Sequence, residues 1–485
     1  MKKETDKIMK LFKTAKKIIS VIMACAMMLA VMPAFVQAEG EPEILASSSA
    51  MLYCMESDTT LYSHNADARV KPGVLIKLMV ALVAVEEMEN KGMTLDSPLT
   101  ASSKAIRDTR GKHIGMKNGE IFRLRDLIAA MLHADADDAA HVIAEGFADT
   151  YANYVELMNH KAADLGMKNT EYFSVTGTED EKSYTTAADQ MLLASYAIKI
   201  QSIAEIGNQI RAVIPQTNKS SARYYGTTNY LLSSRVNPDY YLSTATGLIA
   251  GNHTLAGYCA ILTSRKDGLN YIAVITGAHN SRVLVKEEYE TTDEEGNIVK
   301  VPAEYKTIYH GLNEGRTLLT WGESRFRYVK AITSATPITD IPVKLAAGSD
   351  RVALMPQRDL EIFVPDSVDI KSDVSYSYVL NVTSLTAPVK AGQVAGTLYV
   401  TYKGEKIGEV PLVARNNIER DGWLTLGSRI NELASTPFFI VLMILTAFAV
   451  VFYVITTAMT RQKKEEERKK LATRERRYLG QGDKK

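Results

Sequence analysis

The sequence predicts an α/β (α+β) domain, followed by a small all-β sandwich and one transmembrane helix. Three observations support this prediction. Residues 45–330 combine strand-like patterns at both ends with helical patterns in the middle. Residues 331–420 change to short alternating runs that are separated by turns. Residues 437–459 form 23 positions without a charged side chain, and a helix of that length spans roughly 34 Å, more than the hydrocarbon core of a bilayer.

The charge of the chain is distributed unevenly. Its 485 residues are too many for one compact domain, and 46% hydrophobic and 23% charged residues are ordinary values for a folded protein. Residues 1–38 carry seven Lys and two acidic residues, whereas residues 461–485 carry eleven Lys or Arg and five acidic residues. Since the net charge of the whole chain is +1, the part between these ends carries about −10. Such an acidic middle argues against nucleic acid as a partner.

The N-terminus has the pattern of a signal peptide, which we place at residues 1–38. Its lysines precede an apolar run over residues 18–36, and the run ends in Val36-Gln37-Ala38, a small-residue cleavage pattern. Cleavage after Ala38 would leave the following residues outside the cytoplasm. An uncleaved membrane anchor is the alternative.

The apolar segment at residues 437–459 predicts a single transmembrane helix, with a buried core helix as the alternative. Arg461, Lys463 and Lys464 follow it directly and begin a basic tail, residues 460–485. By the positive-inside rule this tail is cytoplasmic, so the preceding domains lie outside the cell membrane.

Two cysteines remain outside these terminal segments, Cys54 and Cys259. Export permits a disulfide between them, but both lie in apolar, strand-like runs, which favours two buried free thiols. The sequence has no spacing of Cys and His that is typical of a metal site. We therefore expect no metal and no cofactor.

The elements of the first domain follow from periodicity and turn signals. Strands are predicted at residues 50–56, 61–65, 254–265 and 270–277, and helices at 75–90, 124–133, 138–150 and 309–322. The first helix is apolar on every face from Val74 to Val85, except at Lys77. It predicts a buried central helix, in which a lysine needs a polar partner or a cleft. An acidic hairpin at residues 285–308 is either a docking feature or a solvated hairpin.

Several segments of the chain occur in the order and spacing of one known family. They are residues 64–67, 71–82, 154–159, 165–170, 183–189, 257–258 and 269–277. They resemble the penicillin-recognising D-alanyl-D-alanine carboxypeptidases. Residues 387–396 and 406–414 resemble the small β-sandwich that follows the carboxypeptidase domain in that family, where it acts as a stalk. The resemblance implies a carboxypeptidase-like domain at residues 45–330 and a β-sandwich at residues 331–420.

Three motifs build the active site of this family, and the resemblance assigns each of them a place here. Ser-x-x-Lys corresponds to Val74-Leu75-Ile76-Lys77, Ser-x-Asn to Asp135 and Asp137 with one residue between them, and Lys-Thr-Gly to Ala245-Thr246-Gly247. In the family the serine is the nucleophile that becomes acylated, and the lysine tunes its proton. Here the nucleophile position is Val74, and four of the seven motif positions are changed.

These replacements predict a member of the family that lacks the family's reaction. Valine has neither a lone pair nor an exchangeable proton, so no acyl-enzyme can form at Val74. Lys77, Asp135 and Asp137 together carry a formal charge of −1, which would repel the carboxylate of a peptide or a β-lactam. We expect Lys77 to pair with Asp135 or Asp137. The alternative is that these groups act as acid–base partners in a new reaction.

The function predicted from the sequence is that of a membrane-anchored, catalytically inactive scaffold outside the cell. Its partner would be peptidoglycan or a membrane or wall protein, and its process would be peptidoglycan metabolism. The alternative is an active serine-type carboxypeptidase that trims D-alanine from stem peptides, through a misaligned motif or an unrecognised nucleophile.

Overall fold

The computed structural model describes residues 40–178, 180–292 and 298–479. The predicted signal peptide at residues 1–38 lies outside the described residues. The chain divides into two compact units. The first extends to Val329 and includes Ile362–Asp373 and Lys403–Ile407, and the second comprises Lys330–Glu361, Val374–Tyr402 and the chain from Gly408 onwards.

The first unit alternates strands and helices along the chain. Its helices are α1 (Ile76–Asn90), α2 (Ser103–Asp108), α3 (Leu124–Ala134), α4 (Asp137–Phe147), α5 (Tyr151–Asp164), α6 (Ala187–Ala197), α7 (Gln201–Gly207) and α8 (His310–Arg325). Its strands include β1 (Ser49–Cys54), β2 (Thr59–His64), β3 (Pro98–Thr100), β4 (Ile121–Arg123), β5 (Arg211–Ile214), β6 (Arg223–Gly226), β7 (Ala245–His253), β8 (Gly257–Lys266), β9 (Leu269–Ala278), β10 (Asn280–Lys286), β11 (Tyr289–Thr292), β12 (Ile298–Val301) and β13 (Glu304–Tyr309). Short 3-10 turns lie at Gly73–Leu75 and Tyr230–Leu232.

Five of these strands form one antiparallel sheet in the order β2-β1-β9-β8-β7. β9 lies between β1 and β8, so that Ala273 is opposite Leu52 on one side and Leu262 on the other. The turn Asp267-Gly268 between β8 and β9 has φ values of 51° and 83°, the geometry that two-residue hairpin turns require and that Asp and Gly tolerate. In the strand order of this sheet β7 is an edge strand, and it lies against the 3-10 turn that precedes α1.

Helix α1 is the buried centre of the first unit, as the sequence predicted. Every residue from Ile76 to Val85 is buried, including Lys77. The helix packs against α3, α4, α5 and α6, so residues 76–85 have no face left for solvent. It ends at Lys91, and the following Gly92 adopts φ 64°, the left-handed conformation that commonly stops a helix.

A two-residue turn between α3 and α4 fixes the position of both predicted aspartates. After Ala134, Asp135 adopts the left-handed conformation with φ 55° and ψ 36°, and α4 begins at Asp137. Asp is one of the few residues other than glycine that tolerate this conformation. The turn therefore holds two carboxylates close together beside the N-terminal end of α1.

The second unit is dominated by strands. Its six-stranded sheet consists, in chain order, of β15 (Thr339–Lys344), β16 (Arg351–Pro356), β18 (Val374–Leu380), β19 (Leu385–Thr386), β20 (Val394–Tyr402) and β21 (Glu405–Ala414), arranged as β18-β20-β21-β16-β15-β19. Two more strands, β14 (Phe326–Ile332) and β17 (Leu360–Pro365), contain residues of both units. Leu398 and Val400 of β20 are fully buried, while Thr397, Tyr399 and Thr401 are half-buried. This is the alternation of a strand with one face in the core.

Two helices follow this sheet, α9 (Gly422–Ala434) and α10 (Pro437–Leu479). The apolar part of α10 has a mean hydropathy of 2.9 and none of it is buried. By length and composition α10 is able to cross a membrane, and it contains the segment at residues 437–459 that predicts a transmembrane helix.

The predicted acidic hairpin is part of a two-stranded extension between β9 and α8. β10 pairs with β13, and β11 pairs with β12. The tip at residues 293–297 lies outside the described residues. Val283, Leu284 and Val285 of β10 are each about half exposed, so this extension presents apolar side chains as well as charges.

The two cysteines of the first unit do not form a disulfide. Cys54 ends β1 and Cys259 lies in β8. Both are buried and free, which confirms the preference for two buried thiols.

Candidate active site

The nucleophile position and the lysine lie one helical turn apart at the start of α1. Val74 is in the 3-10 turn that leads into the helix, and Lys77 follows three residues later on the same side. Val74 is 1% exposed and Lys77 is completely buried. Gly73 has φ 53°, and a β-carbon on it would lie only 2.7 Å from Ala256 Cβ. The side chain that stands where the family has its serine is thus packed in the protein interior.

The ammonium group of Lys77 contacts both predicted aspartates. Its Nζ donates hydrogen bonds to the Asp135 carboxylate and, at 3.0 Å, to Asp135 O. Asp137 Oδ1 lies 2.7 Å from Nζ and forms a second ion pair with it. Because Asp135 caps α3, the ammonium also lies at the negative end of that helix. The predicted pairing of Lys77 with Asp135 or Asp137 is confirmed.

The ion pair shifts the pKa values of Lys77 and Asp135 in the directions that keep both groups charged. Burial alone would lower the pKa of Lys77, but Asp135 and Asp137 outweigh burial and hold this pKa above its ordinary value. Burial would also raise the pKa of Asp135, yet Lys77 and a hydrogen bond from His253 hold it well below its ordinary range. Lys77 is therefore protonated and Asp135 is ionised at any pH near neutrality.

Asp137 and its neighbour Asp138 fasten a loop over the cluster. Asp137 Oδ2 accepts a hydrogen bond from Gly111 N at 2.9 Å, and Asp137 N donates to Lys112 O at 2.7 Å. The Asp138 carboxylate accepts from Ile114 N at 3.0 and 3.2 Å. Both aspartates lie in the first turn of α4, where the helix dipole favours a carboxylate. The sequence did not identify Asp138, whose hydrogen bonds are to backbone groups.

Two basic residues that the sequence did not identify complete the cluster. Lys112 Nζ lies 3.3 Å from Asp135 Oδ2, while 52% of the Lys112 side chain is exposed. His253 Nε2 lies 3.1 Å from both carboxylate oxygens of Asp135, and its Nδ1 lies 3.2 Å from Gly177 O. Both ring nitrogens of His253 thus face oxygen atoms that accept hydrogen bonds. A loop lysine and a lone histidine at the end of a strand carry no local signal that points to this site.

These additions change the charge that was predicted for the site. Lys77, Asp135 and Asp137 alone sum to −1, and Lys112 brings the sum of these four groups to zero. The negative charge predicted from the three motif positions is thus offset by Lys112, which the sequence did not identify. Pairing and burial of the charged groups, rather than a net negative charge, characterise this site.

The structure places the predicted third motif away from the cluster. Ala245 only begins β7, Thr246 Oγ1 shares a hydrogen bond with Thr263 Oγ1 at 2.8 Å, and Gly247 packs against Gly207 of α7. The assignment of Lys-Thr-Gly to these three residues is a register error, because the glycine of β7 that faces Val74 and Asp135 is Gly251.

The part of β7 that faces the cluster begins four residues later. A β-carbon on Gly251 would lie 3.0 Å from Val74 Cγ2 and 3.1 Å from Asp135 Oδ2. In this register Lys-Thr-Gly corresponds to Ile249, Ala250 and Gly251. Ile249 is completely buried, so an apolar side chain in the core replaces the lysine of the family, and alanine replaces its threonine. Of the seven motif positions, only Lys77 and Gly251 then keep the residue type of the family.

Two turns close the cluster from solvent. A β-carbon on Gly111 would lie 2.5 Å from Asp137 Oδ2 and 2.7 Å from Thr178 Oγ1, which shows how closely these groups approach one another. Gly177, with φ 73°, lies directly against the backbone of Gly73. Asp135 and Asp137 are each 1% exposed. Within the described residues, the site is a buried ion-pair cluster rather than an open cleft.

Comparison with known families agrees with this geometry. Residues 36–280 match the profile of the D-alanyl-D-alanine carboxypeptidases, and residues 326–420 match that of the C-terminal domain of penicillin-binding protein 5. The chain belongs to the D-alanyl-D-alanine carboxypeptidase family. It is therefore a relative of the penicillin-binding proteins of peptidoglycan metabolism.

Two curated relatives span most of the chain. The D-alanyl-D-alanine carboxypeptidase DacF of Bacillus subtilis is 23% identical, over 85% of this chain and 97% of the relative. The D-alanyl-D-alanine carboxypeptidase DacC of Escherichia coli is 26% identical, over 76% of this chain and 83% of the relative. The match to the carboxypeptidases thus extends over both units.

Solved structures of this family share the fold. The D-alanyl-D-alanine carboxypeptidase DacD from Francisella tularensis aligns with a TM-score of 0.57 at 20% identity, covering 81% of this chain and 98% of that one. Penicillin-binding protein 6B from Escherichia coli aligns with a TM-score of 0.55 at 18% identity, covering 79% and 100%. The predicted fold class, a penicillin-binding α/β domain followed by a β domain, is confirmed.

Proposed function

We propose that this chain is a catalytically inactive carboxypeptidase homologue that acts as a membrane-anchored scaffold in peptidoglycan metabolism. The observation that carries the proposal is Val74, which stands at the nucleophile position and is 1% exposed. A nucleophile in acyl transfer needs a lone pair and must approach the carbonyl carbon of its substrate. A buried valine meets neither requirement.

The group that would activate a nucleophile is also lost. A lysine that takes a proton from a hydroxyl must first be unprotonated. Lys77 contacts two carboxylates, which hold its pKa above the ordinary value. It is a permanent cation in this site, so a hydroxyl at position 74 would find no base.

The replaced groups support a structural role for the former site. Lys77 of α1, Asp135 and Asp137 of the α3–α4 turn, and His253 of β7 connect three elements through one cluster. Removing one member of such a buried cluster leaves an uncompensated charge. The cluster therefore keeps the fold intact after the chemistry has been lost, and function is free to depend on the surface.

The helices at the C-terminus support the membrane anchor. Arg461 and Lys463 follow the apolar part of α10, and by the positive-inside rule they favour a cytoplasmic C-terminus. Trp423, Leu426 and Ile430 of α9 lie on one helix face and are all exposed. A helix with such a face suits the membrane surface. The first unit would then lie outside the cell, where peptidoglycan or a membrane or wall protein is its partner.

Acylation by a fluorescent penicillin tests the loss of catalysis. Full-length protein in detergent is incubated with the reagent, denatured and separated on a gel, with penicillin-binding protein 6B of Escherichia coli as the positive control. We expect label on the control alone, because this chain has no serine to acylate at position 74. A labelled band of this chain that survives denaturation would refute the proposal.

A further inference from the structure

A second cluster of basic groups lies near the start of α1, on the outside of the molecule. It lines a cavity of about 520 Å³ whose basic residues are Arg69, Lys71 and His279. Among the described residues that line this cavity, none is acidic. We call it the outer basic pocket. It is a local excess of positive charge in a region, residues 39–460, that carries about −10 overall.

The cationic groups of the outer basic pocket are held in place. The Arg69 guanidinium lies over the ring of Tyr184, 4.3 Å from its centroid, a stacking that fixes the plane of its five donors. Lys71 Nζ donates one hydrogen bond to Glu181 O, which leaves two of its three donors for another acceptor. Groups that are ordered before binding lose less entropy when a ligand arrives.

The walls of the pocket favour an anion that also has apolar parts. Val70, Ala256 and Ala278 line it together with the basic residues, and Leu255 on the β7–β8 turn is 47% exposed at its edge. Apolar walls keep water away from a charged contact and strengthen it. A site of this kind is concave, partly apolar and equipped with a few fixed polar groups, as ligand sites commonly are.

We propose that the outer basic pocket binds an oligoanionic segment of wall material through its carboxylate or phosphate groups. The inference rests on the proposed scaffold function and specifies the chemistry of the ligand. Arg69 would contact an anionic oxygen pair with its planar fork, and Lys71 would contribute a point charge beside it. The pocket lies outside the sealed cluster, so binding here needs no access to Lys77.

The test measures binding of two anionic probes to the full-length protein in detergent micelles. One probe is the peptide acetyl-Glu-Glu-Glu-amide, with acetyl-Gln-Gln-Gln-amide as its neutral match, and the other is inorganic pyrophosphate. We expect wild-type protein to bind at least one anion and not the neutral peptide, and to bind it more weakly as salt is added. The two anions distinguish a carboxylate source from a phosphate source. Failure of the wild type to bind either anion would overturn the proposal.

Variants then locate the binding. Arg69→Gln together with Lys71→Gln should weaken binding by about tenfold or more, since charge-assisted contacts are lost. Arg69→Lys keeps the charge but not the planar fork, so it should lie between wild type and the double variant. Lys168→Gln removes an exposed cation elsewhere and should change nothing. Equal binding by wild type and the double variant would place the anion elsewhere and overturn the proposal.

This outcome is independent of catalysis. A chain that binds anions but is labelled by penicillin would refute the proposed inactivity and leave the pocket standing. If the protein is neither labelled by penicillin nor able to bind anions, only the proposal of anion binding by the outer basic pocket is refuted.

Discussion

Residues 69–77 contribute cations to two clusters, one buried and one open to solvent, which differ in whether acidic residues lie beside the cations. On the inner side, Lys77 is completely buried and has a carboxylate partner in Asp135 and another in Asp137. On the outer side, Arg69 and Lys71 line an open pocket in which no described residue is acidic. The same short stretch of chain thus carries one cation that is paired with carboxylates and two cations in a pocket whose described lining includes no acidic residue.

This difference indicates which cluster contributes to stability and which is available for binding a ligand. A buried charge is tolerated only when it is paired, so the inner cluster contributes to folding and has no capacity left for a ligand. Exposed cations contribute little to folding, but in a concave pocket they attract anions. Under the proposed function, the former active centre is part of the scaffold, and the outer surface is the part that is available for recognition.

The largest effect should come from removing the cation of the inner cluster. Lys77→Met leaves Asp135 and Asp137 buried without their main partner, and we expect the free energy of unfolding to fall by about 3–5 kcal/mol. Denaturant titration of the first unit's transition measures this value. Lys168→Met, at an exposed position, is the control and should stay within about 0.5 kcal/mol of wild type.

The triple variant Lys77→Met, Asp135→Asn and Asp137→Asn sharpens this measurement. In this variant neither Asp135 nor Asp137 is left as a buried carboxylate without a cation. We therefore expect most of the lost stability to return. If the triple variant were no more stable than Lys77→Met, the loss would be due to packing and not to charge.

The second prediction concerns the pH dependence of the inner cluster. The pKa of Asp135 is lowered from 3.8 in the folded protein, so its contribution is complete above about pH 4 and is lost as the pH falls further. The pKa of Lys77 is raised from 10.5, so its contribution is complete below that value and is lost only as the pH rises above it. The cluster should therefore stabilise the fold evenly from about pH 5 to 9.

Unfolding curves of wild type and the triple variant between pH 2 and 6 measure the acid side. Each proton bound only on unfolding contributes up to about 1.4 kcal/mol per pH unit. We expect wild type to lose more stability on acidification than the triple variant. Equal slopes would mean that Asp135 does not titrate as the structure requires.

The parts of this molecule that the sequence predicted are those with strong local patterns. The apolar helix around Lys77 occurs where expected, because it is determined by residues adjacent in the chain. The pairing of Lys77 with an aspartate also followed, since a buried lysine needs a partner.

The parts that the sequence did not predict depend on contacts between distant residues. Lys112 and His253 reach Asp135 from a loop and from the end of β7, more than 20 residues away in the first case and more than 100 in the second. The register of β7 was misjudged because Thr246-Gly247 imitates the end of the third motif, whereas the glycine that faces Val74 is Gly251. Only the sheet and α1 together show which glycine lies at the site.

A smaller effect is expected from the outer basic pocket. Arg69→Gln with Lys71→Gln removes two cations that line an open cavity, so the free energy of unfolding should change by no more than about 0.5 kcal/mol. The same variant should lose anion binding. Denaturant titration beside the binding assay checks both statements, and a large loss of stability would show that the two clusters are not as different as the structure indicates.

The smallest effect should follow from restoring the nucleophile alone. Val74→Ser places a hydroxyl beside a lysine that Asp135 and Asp137 keep protonated, in a site that two turns close, so we expect no measurable release of D-alanine from a peptide that ends in D-alanyl-D-alanine. The third motif also lacks its lysine and threonine at Ile249 and Ala250, and the loss of one group that stabilises the transition state costs roughly 100- to 1000-fold. Activity should first be detectable when Val74→Ser is combined with Asp135→Ser, Asp137→Asn, Ile249→Lys and Ala250→Thr. Circular dichroism verifies that each variant is folded. Substantial release by Val74→Ser alone would mean that the inner cluster still works as a catalytic site, and the contrast between a sealed inner and an open outer cluster would no longer hold.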